Sequence, residues 1–213
     1  MQLAVQRDNV RLVRKSYQIV KRLMDVSICL LTLPFVLPVL AICAIAIWLD
    51  NPGPVFFSQL RTGRGGHRFN MYKFRTMLIN AEELKANYAH LNELTWPDFK
   101  ITDDPRVTRV GRILRKTSLD ELPQIFNIIK GDMSLVGPRP TSFDASTYDL
   151  WHTERLEVLP GLTGLWQISG RSNIDFDERL QLDIEYIERR SILLDISILL
   201  RTFFVIFSQR GAY

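Results

Sequence analysis

Residues 26–48 read VSICLLTLPFVLPVLAICAIAIW, without one charged side chain. A helix of about 20 apolar residues crosses a bilayer core about 30 Å thick, so the run is long enough to enter a membrane. It is too long for a cleavable signal peptide, and no small-x-small site is followed by a polar mature start. A chain of 213 residues rarely hides so long an uncharged helix in a soluble core, which assigns the segment to membrane. Its flanks bear on whether it crosses. Arg7, Arg11, Arg14, Lys15, Lys21 and Arg22 precede it, and Arg61, Arg64, Arg68, Lys73 and Arg75 follow. Basic residues mark the cytoplasmic side, and a straight span would leave one basic flank on the wrong side. Pro34 and Pro38 fall near the middle, where each removes a backbone hydrogen bond and crowds the preceding turn. The pattern predicts a re-entrant helix-break-helix, broken at Pro34 and Pro38, that returns to the face it entered from.

The C-terminal stretch 191–207, SILLDISILLRTFFVIF, is also apolar but carries Asp195 and Arg201. A spanning helix would bury both charges, whereas an amphipathic helix lying in the interface would not. A core helix of the soluble domain is the other reading. Between the two apolar ends the chain is polar and mixed. With 46% hydrophobic and 23% charged residues it is neither disordered nor fibrous. Cys29 and Cys43 both lie in the apolar run, away from any histidine, so neither zinc nor a disulfide framework is indicated. The formal net charge of +4 suits a membrane surface, a phosphorylated substrate or a nucleic acid without choosing among them.

The middle of the chain reads as a helix-rich α+β domain. Short β-like runs flank Gly63, Gly65 and Gly66 and predict a small hairpin. Helical patterns cover 79–94, 109–116, 118–130 and 175–190. No strand–helix alternation supports a Rossmann-type fold. The expected organisation is a basic segment with a re-entrant membrane helix over 1–50, then a catalytic domain with a C-terminal interfacial helix over 51–213.

The stretch 117–124, TSLDELPQ, carries the most chemistry. Ser118 and Glu121 have capping-box spacing, which puts Asp120 and Glu121 in the first turn of a helix. Acidic residues favour that place for electrostatic reasons alone. Here, however, they follow Arg106, Arg109, Arg112, Arg115 and Lys116. Arginines beside free helix N–H groups form a phosphate pocket. A carboxylate in such a pocket can attack phosphorus or, with its neighbour, hold Mg²⁺ together with substrate phosphates. Arg139 stands between two prolines in GDMSLVGPRP, which fixes its backbone. The stretch PGLTGLWQISGR, ending at Arg171, either wraps a nucleotide or turns a corner. Lys73 and Arg75 alternate along an apparent strand and should share one face. Asp103-Asp104 is an acidic pair of the kind that holds metal in some glycosyltransferases, although Pro105 favours a turn.

KRLMD before the proline-bearing apolar run, then YKFRTM, SLDELPQ, GDMSLVGPRP, PGLTGLWQISGR and LDIEYI around Asp183 occur in this order over nearly the whole chain. In that combination the sequence resembles the bacterial sugar transferases, the monotopic phosphoglycosyl transferases, in their small form. The resemblance implies transfer of a sugar-1-phosphate from a UDP-sugar to undecaprenyl phosphate with release of UMP. It implies Asp120 as the nucleophile and Glu121 as its partner in Mg²⁺ or proton handling. Lys73, Arg115 and Arg139 correspond to phosphate-binding cations, and Arg171 to a ligand of the nucleotide or carrier phosphate. Asp25 is implied to be structural, paired with a basic residue. The implied setting is the cytoplasmic face of the bacterial inner membrane, with the lipid bilayer as partner and no nucleic acid. The sequence departs from the family at the bend, where Leu37-Pro38 replaces the usual Ser-Pro. Two other readings compete. A non-catalytic anchor would bind anionic lipid or nucleic acid through its arginines. A glycosyltransferase would use Asp103-Asp104 and release UDP.

Overall fold

The structure is a computed structural model that describes residues 15–93, 101–142, 150–169 and 176–207. Its first element, α1, is one helix over Lys15–Asp50. It is the one helix among the described residues long and apolar enough to cross a membrane. The expected interruption is absent, because the chain stays helical through both Pro34 and Pro38. Each proline still lacks an N–H, which leaves the carbonyls of Leu30 and Pro34 without their helical donors. Thr32 does not replace them. Its hydroxyl donates instead to the Ile28 and Cys29 carbonyls, at 2.8 and 3.2 Å.

The antiparallel hairpin is present. Strand β1 (Phe56–Thr62) pairs with β2 (Arg68–Phe74), in a register running from Phe56 opposite Phe74 to Thr62 opposite Arg68. The pattern at 79–94 becomes a 3-10 helix over Glu83–Leu91. Helix α2 (Arg109–Thr117) follows, then a 3-10 turn over Leu119–Glu121 and α3 (Gln124–Lys130). Short strands β3 (Ser134–Val136) and β4 (Gly161–Thr163) pair in parallel. Helices α4 (Leu165–Ser169), α5 (Phe176–Arg189) and α6 (Ile192–Phe207) complete a helix-rich α+β fold.

Two apolar clusters form the core, and α1 contributes to both. Cys29 packs with Met71, Ile125, Ile128, Met133, Val136, Tyr186 and Ile198. Leu40, Cys43 and Ile47 pack with Phe74 and Leu114. Polar bonds tie both ends of α1 to the same body. Near its start, Lys21 pairs with Asp195 at 2.9 Å, and Arg22 donates to the Ile128 and Ile129 carbonyls. Asp25, fully buried, accepts from the Ser134 hydroxyl at 2.7 Å and the Leu135 amide at 3.3 Å. The expected basic partner of Asp25 is therefore replaced by neutral donors. At the other end Asp50 accepts from the Val110 amide, and the Asn51 carbonyl accepts from Arg75. The opposite side of α1, including Leu31, Phe35, Ile42 and Trp48, is exposed.

Helix α6 merges both expectations for the C-terminal stretch. Asp195 and Ile198 are buried in the body, whereas Leu193, Leu200, Phe203 and Phe204 face outward. The Asp195 charge is satisfied inside the protein by Tyr17, Lys21 and Tyr186.

Candidate active site

Helix α2 begins at Thr108, whose side chain accepts from the Gly111 amide, and ends at Ser118. Ser118 has φ 58° and ψ 16°, the one left-handed non-glycine residue among those described. It turns the chain out of α2 and into the 3-10 turn that carries Asp120 and Glu121. The capping-box reading of 118–121 is thereby corrected. The Ser118 side chain caps nothing, and the left-handed backbone does the redirecting instead. The Glu121 side chain turns away to two cations.

Lys73, at the end of β2, donates to Glu121 Oε1 at 2.7 Å, and its Nζ stands 3.9 Å from Asp120 Oδ2. Arg139 Nη2 donates to the same Oε1 at 2.6 Å, and Nη1 to Oε2 at 3.4 Å. Both oxygens of Glu121 are thus engaged. Among the described residues Asp120 has no hydrogen bond to its carboxylate, only the long ionic contact with Lys73. The electrostatics follow. Burial alone would raise the Glu121 carboxyl, but Arg139 and Lys73 outweigh it and hold the group well below the usual carboxylate range. Burial pushes Asp120 up, the Glu121 charge adds to that, and Lys73, Arg115 and Arg139 oppose it. Two adjacent carboxylates therefore differ in kind: one is locked as an anion and the other is left open.

Arg139 is aimed by close backbone packing. A Cβ on Gly137 would stand 2.5 Å from the Leu159 carbonyl oxygen, and one on Gly161 would stand 2.1 Å from the Gly137 amide. Glycine at both places lets β3 and β4 meet, so the loop 160–164 supports the Pro-Arg-Pro segment from behind. Arg155, fully overlooked in the sequence, adds a brace. Its Nη2 donates to the Arg139 carbonyl and to Asp183 Oδ2, both at 2.6 Å. Burial pushes the Asp183 carboxyl up to about 6, against the pull of Arg155. Nothing local in the sequence marks Arg155, because its partners lie far away along the chain.

Arg115 reaches the site from the last turn of α2, and its charge is felt by Asp120. The structure thus gathers Lys73, Arg115, Arg139, Asp120 and Glu121, while Arg171 lies outside the described residues. Arg75 does not share the site with Lys73. It lies just past β2, buried, and donates to the Asn51 carbonyl. The Asp103-Asp104 pair is not an open metal site either, since Asp104 is buried against Arg106 at 2.6 Å. Among the described residues no three His, Cys, Asp or Glu side chains converge on a common point. A divalent ion here would have to draw most of its ligands from a substrate, the habit of Mg²⁺ at phosphate sites.

The chain matches the family described as bacterial sugar transferase over residues 16–209. It is 44% identical over 206 residues to the galactosyl transferase CpsE of Streptococcus agalactiae serotype III, covering 96% of this chain and 46% of that protein. It is 42% identical over 207 residues to the undecaprenyl-phosphate galactose phosphotransferase of Salmonella typhimurium, covering 95% and 43%. The exopolysaccharide production protein ExoY of Sinorhizobium fredii is 40% identical over 198 residues, covering 91% and 88%. The chain therefore spans less than half the length of the first two relatives and most of the third. A match that starts with α1 and continues through α6 makes this chain a member of the bacterial sugar transferase family.

Proposed function

We propose that this chain transfers a sugar-1-phosphate from a UDP-sugar to undecaprenyl phosphate and releases UMP. The observation that carries the reading is the unequal dyad: Glu121 bonded through both oxygens, and Asp120 beside it with no hydrogen bond to its carboxylate among the described residues. In the first step a carboxylate oxygen of Asp120 attacks the β-phosphorus. The bond from that phosphorus to the bridging oxygen breaks, and UMP leaves with the electron pair. In the second step a phosphate oxygen of the lipid attacks the same phosphorus, and Asp120 departs as a carboxylate. Lys73, Arg115 and Arg139 offset the charge gathered on the diphosphate, and most of the rate comes from that positioning. Arg171 is kept as a further phosphate ligand on the family resemblance alone.

Mg²⁺ fits this site through Asp120, because the oxygens of Glu121 are occupied by Lys73 and Arg139. When bound, it would neutralise charge on the donor diphosphate. The residues' own work is to hold Asp120 open and Glu121 ionised.

The membrane reading is supported by the bonds at the two ends of α1. Lys21, Arg22 and Asp25 near one end, and Asp50 at the other, all bond to one body. A helix crossing a core about 30 Å thick would carry one end away from that body. We place α1 as a re-entrant element in which Pro34 and Pro38 bend the continuous helix without breaking it, with its exposed side in lipid and the active site at the cytoplasmic face of the inner membrane. There a water-soluble donor and a lipid phosphate can meet.

The test uses the full chain, Mg²⁺, undecaprenyl phosphate and a panel of UDP-sugars. UDP-galactose comes first, since two relatives are named for galactose. UMP release by the wild type and its loss in Asp120→Asn are expected, with a phosphosugar mass on the wild-type protein when the lipid is withheld. Release of UDP would overturn the reading, and UMP release from Asp120→Asn would move the nucleophile elsewhere.

A further inference from the structure

Helix α2 lies against the segment that follows β2, and the closest approach is at Gly111. A Cβ there would stand 2.1 Å from the Thr76 carbonyl oxygen, so α2 can only sit this close with glycine at that position. The same carbonyl accepts from the Thr108 amide at 3.1 Å, which seats the start of α2 on residue 76. One turn beyond Gly111, on the same helix face, is Arg115. Its Nε donates to the Thr76 hydroxyl at 2.9 Å. Thr76 is only 7% exposed, so water competes poorly for that bond. Among the described residues neither Nη of Arg115 has a hydrogen-bond partner.

This arrangement restricts how the guanidinium meets an anion. Arginine grips phosphate either side-on, through Nε and one Nη, or end-on, through both Nη atoms. With Nε taken by Thr76, only the end-on fork remains. Arg115 stands in the last turn of α2, its carbonyl accepting from the Ser118 amide at 3.1 Å, and Asp120 follows in the next turn, so guanidinium and carboxylate lie on neighbouring turns. Burial works against the Arg115 charge and Asp120 supports it. We propose that Thr76 is a positioning residue that presents Arg115 end-on to the phosphoryl group beside Asp120. Gly111 is the residue that brings α2 near enough for the bond to form. The inference rests on the phosphosugar-transfer reading and adds to it a requirement for a hydroxyl at position 76.

The experiment compares Thr76→Val, which keeps the branched shape but loses the hydroxyl, with Thr76→Ser, which keeps the hydroxyl. Both are made in the wild-type and Arg115→Lys backgrounds. Loss of a hydrogen bond to a charged group should lower kcat/KM of Thr76→Val by about 10- to 100-fold, with Tm lowered but the protein folded at the assay temperature, and Thr76→Ser close to wild type in both. In the Arg115→Lys background Thr76→Val should add little, because the hydroxyl acts through that guanidinium. A serine variant as impaired as valine, or the same loss in both backgrounds, would overturn the proposal. A second readout needs no turnover: the Arg115 Nε–H resonance of ¹⁵N-arginine-labelled protein, identified by its absence in Arg115→Lys. It should shift in Thr76→Val and hold in Thr76→Ser. If that pattern appears while no UDP-sugar yields UMP, the transfer reading fails and the contact stands. If UMP forms while the resonance ignores Thr76→Val, the positioning role is overturned.

Discussion

Arg139 meets Glu121 fork to carboxylate, with Nη2 2.6 Å from Oε1 and Nη1 3.4 Å from Oε2. The pair does more than balance charge. It keeps Arg139 off Asp120 and draws Lys73 to the same oxygen, at 2.7 Å against 3.9 Å for Asp120. Glu121→Gln should release both cations toward Asp120. A carboxylate gripped by cations is a weaker nucleophile, so the rate of UMP release should fall by about 100-fold or more, the scale of losing one preorganised charge at a reacting centre. Steady-state release with the best donor checks this. A rate within threefold of wild type would show that Asp120 does not depend on its neighbour.

The same variant should move the acid limb of the pH profile. Burial raises Asp120 above the ordinary carboxylate range and the Glu121 charge adds to that, so wild-type kcat/KM should rise with pH through a midpoint above the usual value for an aspartate. Removing the Glu121 charge removes one cause of the elevation and frees Lys73, which lowers it further. The limb of Glu121→Gln should therefore lie at lower pH than that of the wild type. A limb that stays in place, or moves up, would mean another group sets it. For stability the dependence on pH has the same sense. Glu121 is depressed in the folded protein, so its contribution is present above its unfolded value and is lost as pH falls toward the folded one.

Asp183 gives a second pH effect of the reverse sense. Its carboxyl titrates at about 6 in the folded protein, above its ordinary value, so the folded chain retains a proton that the unfolded chain releases. Stability is favoured below about pH 4 and declines by roughly 3 kcal/mol as pH rises to about 6. Asp183→Asn keeps an acceptor for Arg155 and cannot ionise, so Tm should lose this decline between pH 4 and 6. Thermal melts across that range decide it: an unchanged slope would mean that Asp183 is already ionised throughout.

What was legible in the sequence was what is local. The hairpin, α2 and α5 follow from glycine turns and residue periodicity within a few positions. The dyad stood out because an acidic pair follows a cationic run. Ser118 shows where local reading fails. Capping-box spacing and a left-handed helix end draw on similar residues, and only the observed φ of 58° separates them. Thr76, Arg155 and Asp183 act through partners distant in sequence, so no spacing announces their roles. Pro34 and Pro38 were expected to interrupt a helix, but packing of α1 into both core clusters carries it through. Such tertiary support routinely overrides a local breaker.

The bonds at the start of α1 lead to the last prediction. Asp195 is fully buried and accepts from Tyr17 at 3.0 Å, Lys21 at 2.9 Å and Tyr186 at 2.7 Å. Asp195→Ala leaves a partly buried ammonium and the Tyr17 phenol without their acceptor, while Tyr186 keeps the Val136 carbonyl, and should destabilise by about 3–5 kcal/mol. Asp195→Asn retains an acceptor and should lose less. The larger consequence is for topology. If this anchor and the one at Asp50 hold both ends of α1 to one body, cysteine labels at residues 16 and 51 should react with an impermeant reagent from the same side of inverted vesicles. Weakening the anchor with Asp195→Ala should then raise exposure to the opposite side at residue 16 and leave residue 51 unchanged. Labelling of the unmodified chain from opposite sides would instead make α1 a spanning helix and assign its two basic flanks to different compartments.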